Sequence, residues 1–144
     1  MKLRLALMSA ALWWGSLTTL GFVVVPLLFT HLATPAIAGA MAARLFTAQS
    51  WVSIACALIL LLALTRQSED ESGDDEVRRA PPPAAVLPIV GGLLLALLVE
   101  YAVAPRIVAR ENLKLWHGLG TGMYVLQWLC AGAALWRLGR PVRA

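Results

Sequence analysis

"VVVPLLFTHLATPAIAG" (residues 23–39) ends an apolar run that begins near Leu5, and it places His31 where that run stops. Pro26 precedes the histidine and Pro35 follows it. The fold turns on whether this stretch closes a membrane helix or a removable leader. The preceding residues imitate a leader: "MKLRLALMSAALWWGSLTTLGFVVVPLLF" starts basic, and "AIA" before Gly39 looks like a cleavage site. A leader's apolar segment is only about 7–15 residues long. The run here is far longer, and three more follow it. It reads as a retained membrane helix.

Composition supports that reading. Of 144 residues, 60% are hydrophobic and only 14% charged, with a mean hydropathy of +0.75. A soluble domain carries about a quarter charged residues, so the excess apolar surface must face lipid. A helix rises about 1.5 Å per residue, and about 20 apolar residues cross the hydrocarbon layer. Four segments qualify: residues 5–29, 41–64, 84–103 and 115–136. The runs are continuous rather than alternating, which favours helices over a barrel. The expected fold is all-α: one integral membrane domain, an antiparallel four-helix bundle over residues 1–144. No internal repeat is evident.

The connections differ. "THLATPAIAG" is short, small and nearly uncharged. "TRQSEDESGDDEVRRAPPP" (65–83) carries six acids and three arginines, and predicts a poorly ordered loop. "APRIVARENLK" (104–114) is compact and basic. An even number of spans puts both termini on one side. Lys2, Arg4, Arg66, Arg78, Arg79, Arg137, Arg140 and Arg143 share that side, against Arg44, Arg106, Arg110 and Lys114 on the other. The positive-inside rule therefore makes the termini and the acidic loop cytoplasmic. The net charge of +4 reflects these flanks and does not imply nucleic acid. The expected partners are the lipid bilayer and, through glycine-rich helix faces, a second copy of the chain. Gly118 and Gly122 have the small-xxx-small spacing, Gly91 and Gly92 offer a similar handle, and Pro26 and Pro88 can kink their helices.

Depth then assembles a candidate site. His31 ends span one, His117 opens span four, Glu100 comes late in span three and Arg44 opens span two. All four lie at the outer mouth, with Arg106, Arg110, Glu111 and Lys114 around them. An ionisable group inside a span is costly and needs a partner. Glu100 is expected to face inward and meet Arg44, Arg106 or His117. Two readings follow: an ion-pair clasp tying helix ends, or a ligand, metal or proton site. His31 and His117 could anchor the interface, ligate a haem iron, or hold copper with further ligands. Cys56 and Cys130 share a depth nearer the cytoplasm. With Met8 or Met123 they offer a soft-metal site; the plainer reading is small apolar packing. Gln127, Thr18 and Thr19 sit near mid-membrane and suit cross-helix hydrogen bonds. The six tryptophans mostly suit membrane interfaces. There is no Ser/His/Asp set, phosphate-binding glycine loop, HExxH or CxxC, so no residue is assigned to catalysis and an enzyme is not favoured.

"GFVVVPLLFTHL" with "AGAMAARLF", then "YAVAPRIVAR" and "NLKLWHGLGTGMYVLQWL", resemble the transmembrane protein 205 family and its bacterial relatives. The resemblance covers nearly the whole chain. It rests on P-x-L-F at 26–29, A-G-x-x-A-x-x-L-F at 38–46, and Trp116–His117–Gly118. It implies a four-helix domain of unassigned biochemistry in a bacterial inner membrane. Animal relatives are associated with resistance to platinum drugs, which implies metal or drug handling. "PLLFTH" is also similar to the end of the first helix in CopD-like and HemJ-type proteins. That resemblance implies haem binding and protoporphyrinogen oxidation. The HemJ type carries further histidines and a lysine in its later helices, whereas this chain has only His31 and His117.

Overall fold

In the computed structural model, which describes residues 2–70, 83–109 and 111–139, every regular element is helical. Helix α1 (Lys2–Thr19) passes through a π-helical turn (Leu20–Val24) into α2 (Val25–His31). A brief bend leads to α3 (Pro35–Asp70). Helix α4 (Pro83–Leu98) passes through a second π-turn (Val99–Val103) into α5 (Ala104–Val108), and α6 (Leu113–Leu138) follows. Three stretches are long and apolar enough to cross a membrane: Leu3–His31, Pro35–Thr65 and Val86–Val108. The chain is thus an integral membrane protein. Helix α6 has the length, with 26 residues, but does not reach the required apolarity. Lys114, His117, Thr121, Tyr124 and Gln127, with its glycines and tryptophans, dilute it. The fourth expected span is therefore a helix of mixed character.

Each π-turn ends two residues before a proline. The Val25 N–H reaches back to Leu20 O just before Pro26, and the Ala104 N–H reaches back to Val99 O just before Pro105. A proline ring clashes with the carbonyl four residues back and supplies no N–H. Widening the preceding turn by one residue relieves that clash. So the regular α-helix of span one is interrupted just ahead of Pro26, and that of span three just ahead of Pro105. Pro88 stays inside a continuous α4.

The order helix, π-turn, short helix, long helix occurs twice. No repeat is visible in the letters, yet the backbone carries one. The two halves also share a register. Trp13 lies seven residues before Leu20, Gly92 lies seven before Val99, and Trp13 packs against Gly92.

Two starts differ from expectation. Helix α3 begins at Pro35, six residues before the expected span. Proline suits the first helical position, and Thr34 caps it, its Oγ1 accepting from Ile37 N at 3.3 Å. Much of "THLATPAIAG" is therefore helix. At the other connection, Asn112 holds φ 34° and caps α6, its carbonyl accepting from Leu115 N at 2.9 Å. Asparagine is among the few residues that tolerate that left-handed conformation. Helix α3 also runs through 65–70 of the acidic segment; residues 71–82 and Arg110 lie outside the described residues.

The last turn of α1 is tied to the interiors of α3 and α6. Ser16 meets Gln49, Thr18 meets Trp128, and Leu17 meets Tyr124. The core gathers Ala6, Ala10, Trp13 and Leu17 with Cys56, Ala57, Leu60, Ile89, Ala131 and Ala134. Small residues dominate because backbones must approach closely when lipid supplies no hydrophobic drive between helices. Gly92 and Gly132 take the rings of Trp13 and Trp14. Gly118 and Gly122, in contrast, meet nothing within 4 Å, and Gly120 between them packs on Val103 and Ile107. Leu12, Phe22, Leu62, Leu94 and Leu129 are more than half exposed, as a lipid-facing surface requires.

Candidate functional site

His31 is the last residue of α2 and is exposed. Its Nδ1 lies 3.1 Å from Leu27 O and 2.8 Å from Thr30 Oγ1, while Thr30 Oγ1 donates to Leu27 O at 3.0 Å. These contacts engage Nδ1 within its own helix turn, and Nε2 makes no hydrogen bond among the described residues. His117, near the start of α6, is exposed, and so is Arg44, near the start of α3.

Glu100 sits in the second π-turn and is half-buried. It makes no ion pair with any described cation, so the expected clasp with Arg44, Arg106 or His117 does not form. The reason is local. Arg106 lies six residues further along, about 9 Å by helical rise, and its guanidinium sits 4.4 Å over the ring of Trp116. That cation–π contact occupies the cation nearest in sequence. No hydrogen bond or ion pair joins any two of His31, Arg44, Glu100 and His117. Among the described residues, no three of His, Cys, Asp and Glu cluster closely enough to hold a metal ion.

The cysteines are free thiols. Cys56 belongs to the core, and Cys130 packs along Gly91 and Gly92. Met8, 72% exposed, is turned away from that core and cannot complete a soft-metal site with them. Both cysteines occupy packing positions in the structure.

The polar chemistry at mid-depth is more developed than the sequence suggested. Gln49 Nε2 donates to Ser16 Oγ at 2.9 Å and to Ser53 Oγ at 3.4 Å, linking α1 and α3. Trp128 Nε1 donates to Thr18 Oγ1 at 2.8 Å, and that hydroxyl donates to Trp14 O at 2.7 Å. Thr18 thus bonds across helices as expected. Tyr124 Oη donates to Leu17 O at 2.7 Å, just below the first π-turn. Gln49 and Ser53, at i and i+4 inside an apolar run, were the signal for the first of these networks. Trp13 is an exception among the tryptophans: it is fully buried, and its Nε1 has no hydrogen-bond partner among the described residues.

The family model described as a domain of unknown function (DUF4149) matches residues 8–114. That range takes in α2, α3, α4 and α5 with most of α1, and stops as α6 begins. No curated protein and no solved structure matches the chain.

Proposed function

Since the chain belongs to the DUF4149 family, we propose that it is an antiparallel four-helix bundle that binds a small cation at its outer mouth. In this reading it resembles the transmembrane protein 205 family, lies in a bacterial inner membrane and keeps both termini in the cytoplasm. It is a binding or transport protein rather than an enzyme.

Glu100 carries the proposal. It is the only acid within the three membrane-crossing stretches, and no cation among the described residues pairs with it. An unpaired intramembrane carboxylate is a functional group by default, and π-turns recur at functional sites. The exposed imidazoles of His31 and His117 are further candidate ligands for that cation. The family resemblance to proteins associated with platinum-drug resistance agrees with a cationic cargo.

The test is equilibrium binding to purified protein in detergent, using tetraphenylphosphonium as the organic cation and Zn²⁺ or Cu(I) as the metal. Glu100→Gln should abolish saturable binding of the preferred probe. His31→Ala and His117→Ala should weaken the metals and spare the organic cation. Parent-like binding by Glu100→Gln overturns the reading, and a Soret band in the purified protein replaces it with the haem-dependent alternative.

A further inference from the structure

Where α6 faces α1 at the terminal end of the molecule, the two helices leave a groove of about 510 Å³. Trp14 forms one wall, and Trp128, Leu129, Gly132, Ala133 and Trp136 form the other, with Arg137 at the open end. Gly132 makes it possible, since a Cβ there would lie 3.0 Å from Trp14 Nε1. Trp14 and Trp128 stack with centroids 5.9 Å apart at the deep end, and the Thr18 hydroxyl fixes the Trp128 ring.

We propose that this groove binds one anionic phospholipid, with an acyl chain between the tryptophans and the phosphate at Arg137. Three observations select that occupant. The first is length. From Trp128 to Arg137 the groove follows α6 for nine residues, about 14 Å of rise, close to half of the roughly 30 Å hydrocarbon layer. It therefore runs from headgroup level to the bilayer midplane, as one acyl chain does. The second is the lining. It is aromatic and aliphatic along its length and contains no acid, so nothing within it competes for the guanidinium. The third is charge. Arg137 is exposed, and Arg4 is exposed at the same end of the molecule. A guanidinium offers paired donors to a phosphate, and tryptophan suits the boundary just below the headgroup.

The simpler role for Arg137 is to offset the α6 dipole from its last turn. That role predicts a stability change without lipid selectivity, so the two are separable. The inference needs only residence in a membrane. It does not depend on the cation reading of the opposite mouth, and failure of either leaves the other standing.

The experiment is quenching of tryptophan fluorescence by phospholipids brominated at mid-chain, titrated into mixed micelles of the full-length protein. Brominated phosphatidylglycerol should quench saturably at about fivefold lower concentration than brominated phosphatidylcholine, the preference one interfacial cation supplies. Arg137→Gln should equalise the two lipids while leaving phosphatidylcholine quenching unchanged. Ala133→Leu should fill the groove and remove the saturable component for both lipids, with helix content and thermal midpoint retained as the check on folding. Should Ala133→Leu fail to fold, Ala133→Val serves with the same readout and a smaller effect. Equal quenching by the two lipids in the parent overturns the proposal, as does a preference that survives Arg137→Gln.

Discussion

Gly91 and Gly92 are neighbours on α4 with opposite tolerance for a methyl group. A Cβ on Gly92 would lie 2.6 Å from Trp13 Cη2 and 2.8 Å from Trp13 Cζ2, with Cys130 Cβ at 3.3 Å. Trp13 is fully buried, so its ring has no solvent side to swing into, and helices must part by several tenths of an ångström. Overpacking of this kind costs about 1–3 kcal/mol. A Cβ on Gly91 meets only Cys130 Sγ, at 3.7 Å, an ordinary contact. There the substitution keeps the helix-propensity gain of alanine over glycine, up to about 1 kcal/mol. Gly91→Ala should therefore be neutral or stabilising. Gly92→Ala, with the same gain less the clash, should fall below it by about 1–3 kcal/mol. Unfolding in mixed micelles of rising denaturing detergent, followed by circular dichroism, measures the difference. Trp13→Phe supplies the internal control, because the smaller ring vacates the contact. Its cost and that of Gly92→Ala should be strongly non-additive. Equal stability of the two alanine variants, or plain additivity with Trp13→Phe, would refute this account of the core.

Two further outcomes follow from the same geometry. Tyr124→Phe removes the donor to Leu17 O and should lower stability by about 0.5–1.5 kcal/mol in the same assay, without the large loss that a core cavity brings. For topology, Ala33→Cys should react with a membrane-impermeant thiol reagent added to intact cells, and Ser72→Cys should react only after permeabilisation, since eight of the twelve Lys and Arg flank the terminal side; the reverse pattern would invert the proposed orientation.

The all-helical membrane character was legible because hydropathy over some 20 residues is a strong signal. Three stretches met it in the structure. Helix α6 was harder, since apolar residues at 113, 115, 119 and 125–126 look like a span until the intervening Lys, His, Thr and Gln are weighed. Prolines 26 and 105 were visible as letters, but a π-turn is a backbone response to a ring clash and has no residue code. The start of α3 was encoded in Thr34–Pro35, a cap followed by a first-turn proline, which a search for apolar runs passes over. For the candidate site, depth along each span located His31, Arg44, Glu100 and His117. Pairing was not legible, because it depends on side-chain competition: Arg106 goes to Trp116 rather than to Glu100. The glycine spacing was a partial guide. Gly118 and Gly122 obey the pattern and meet no described residue within 4 Å, while Gly92, the other handle named from the sequence, and Gly21, which was not named, hold the closest approaches, against Trp13 and Tyr124.

The twin π-turns divide the molecule mechanically. Most fully buried residues, among them Ala10, Trp13, Leu17, Ala57, Leu60, Ile89, Ala131 and Ala134, lie on the terminal side of those turns. Beyond them, α2 has no buried residue and neither has α5. Each hairpin thus has a stiff stem and a soft tip, joined at a crease where a proline has already removed one rung of the hydrogen-bond ladder. A push on either tip is taken up at its crease before it reaches Trp13. The end bearing His31 and His117 is therefore held by fewer buried side chains than the end bearing Trp13.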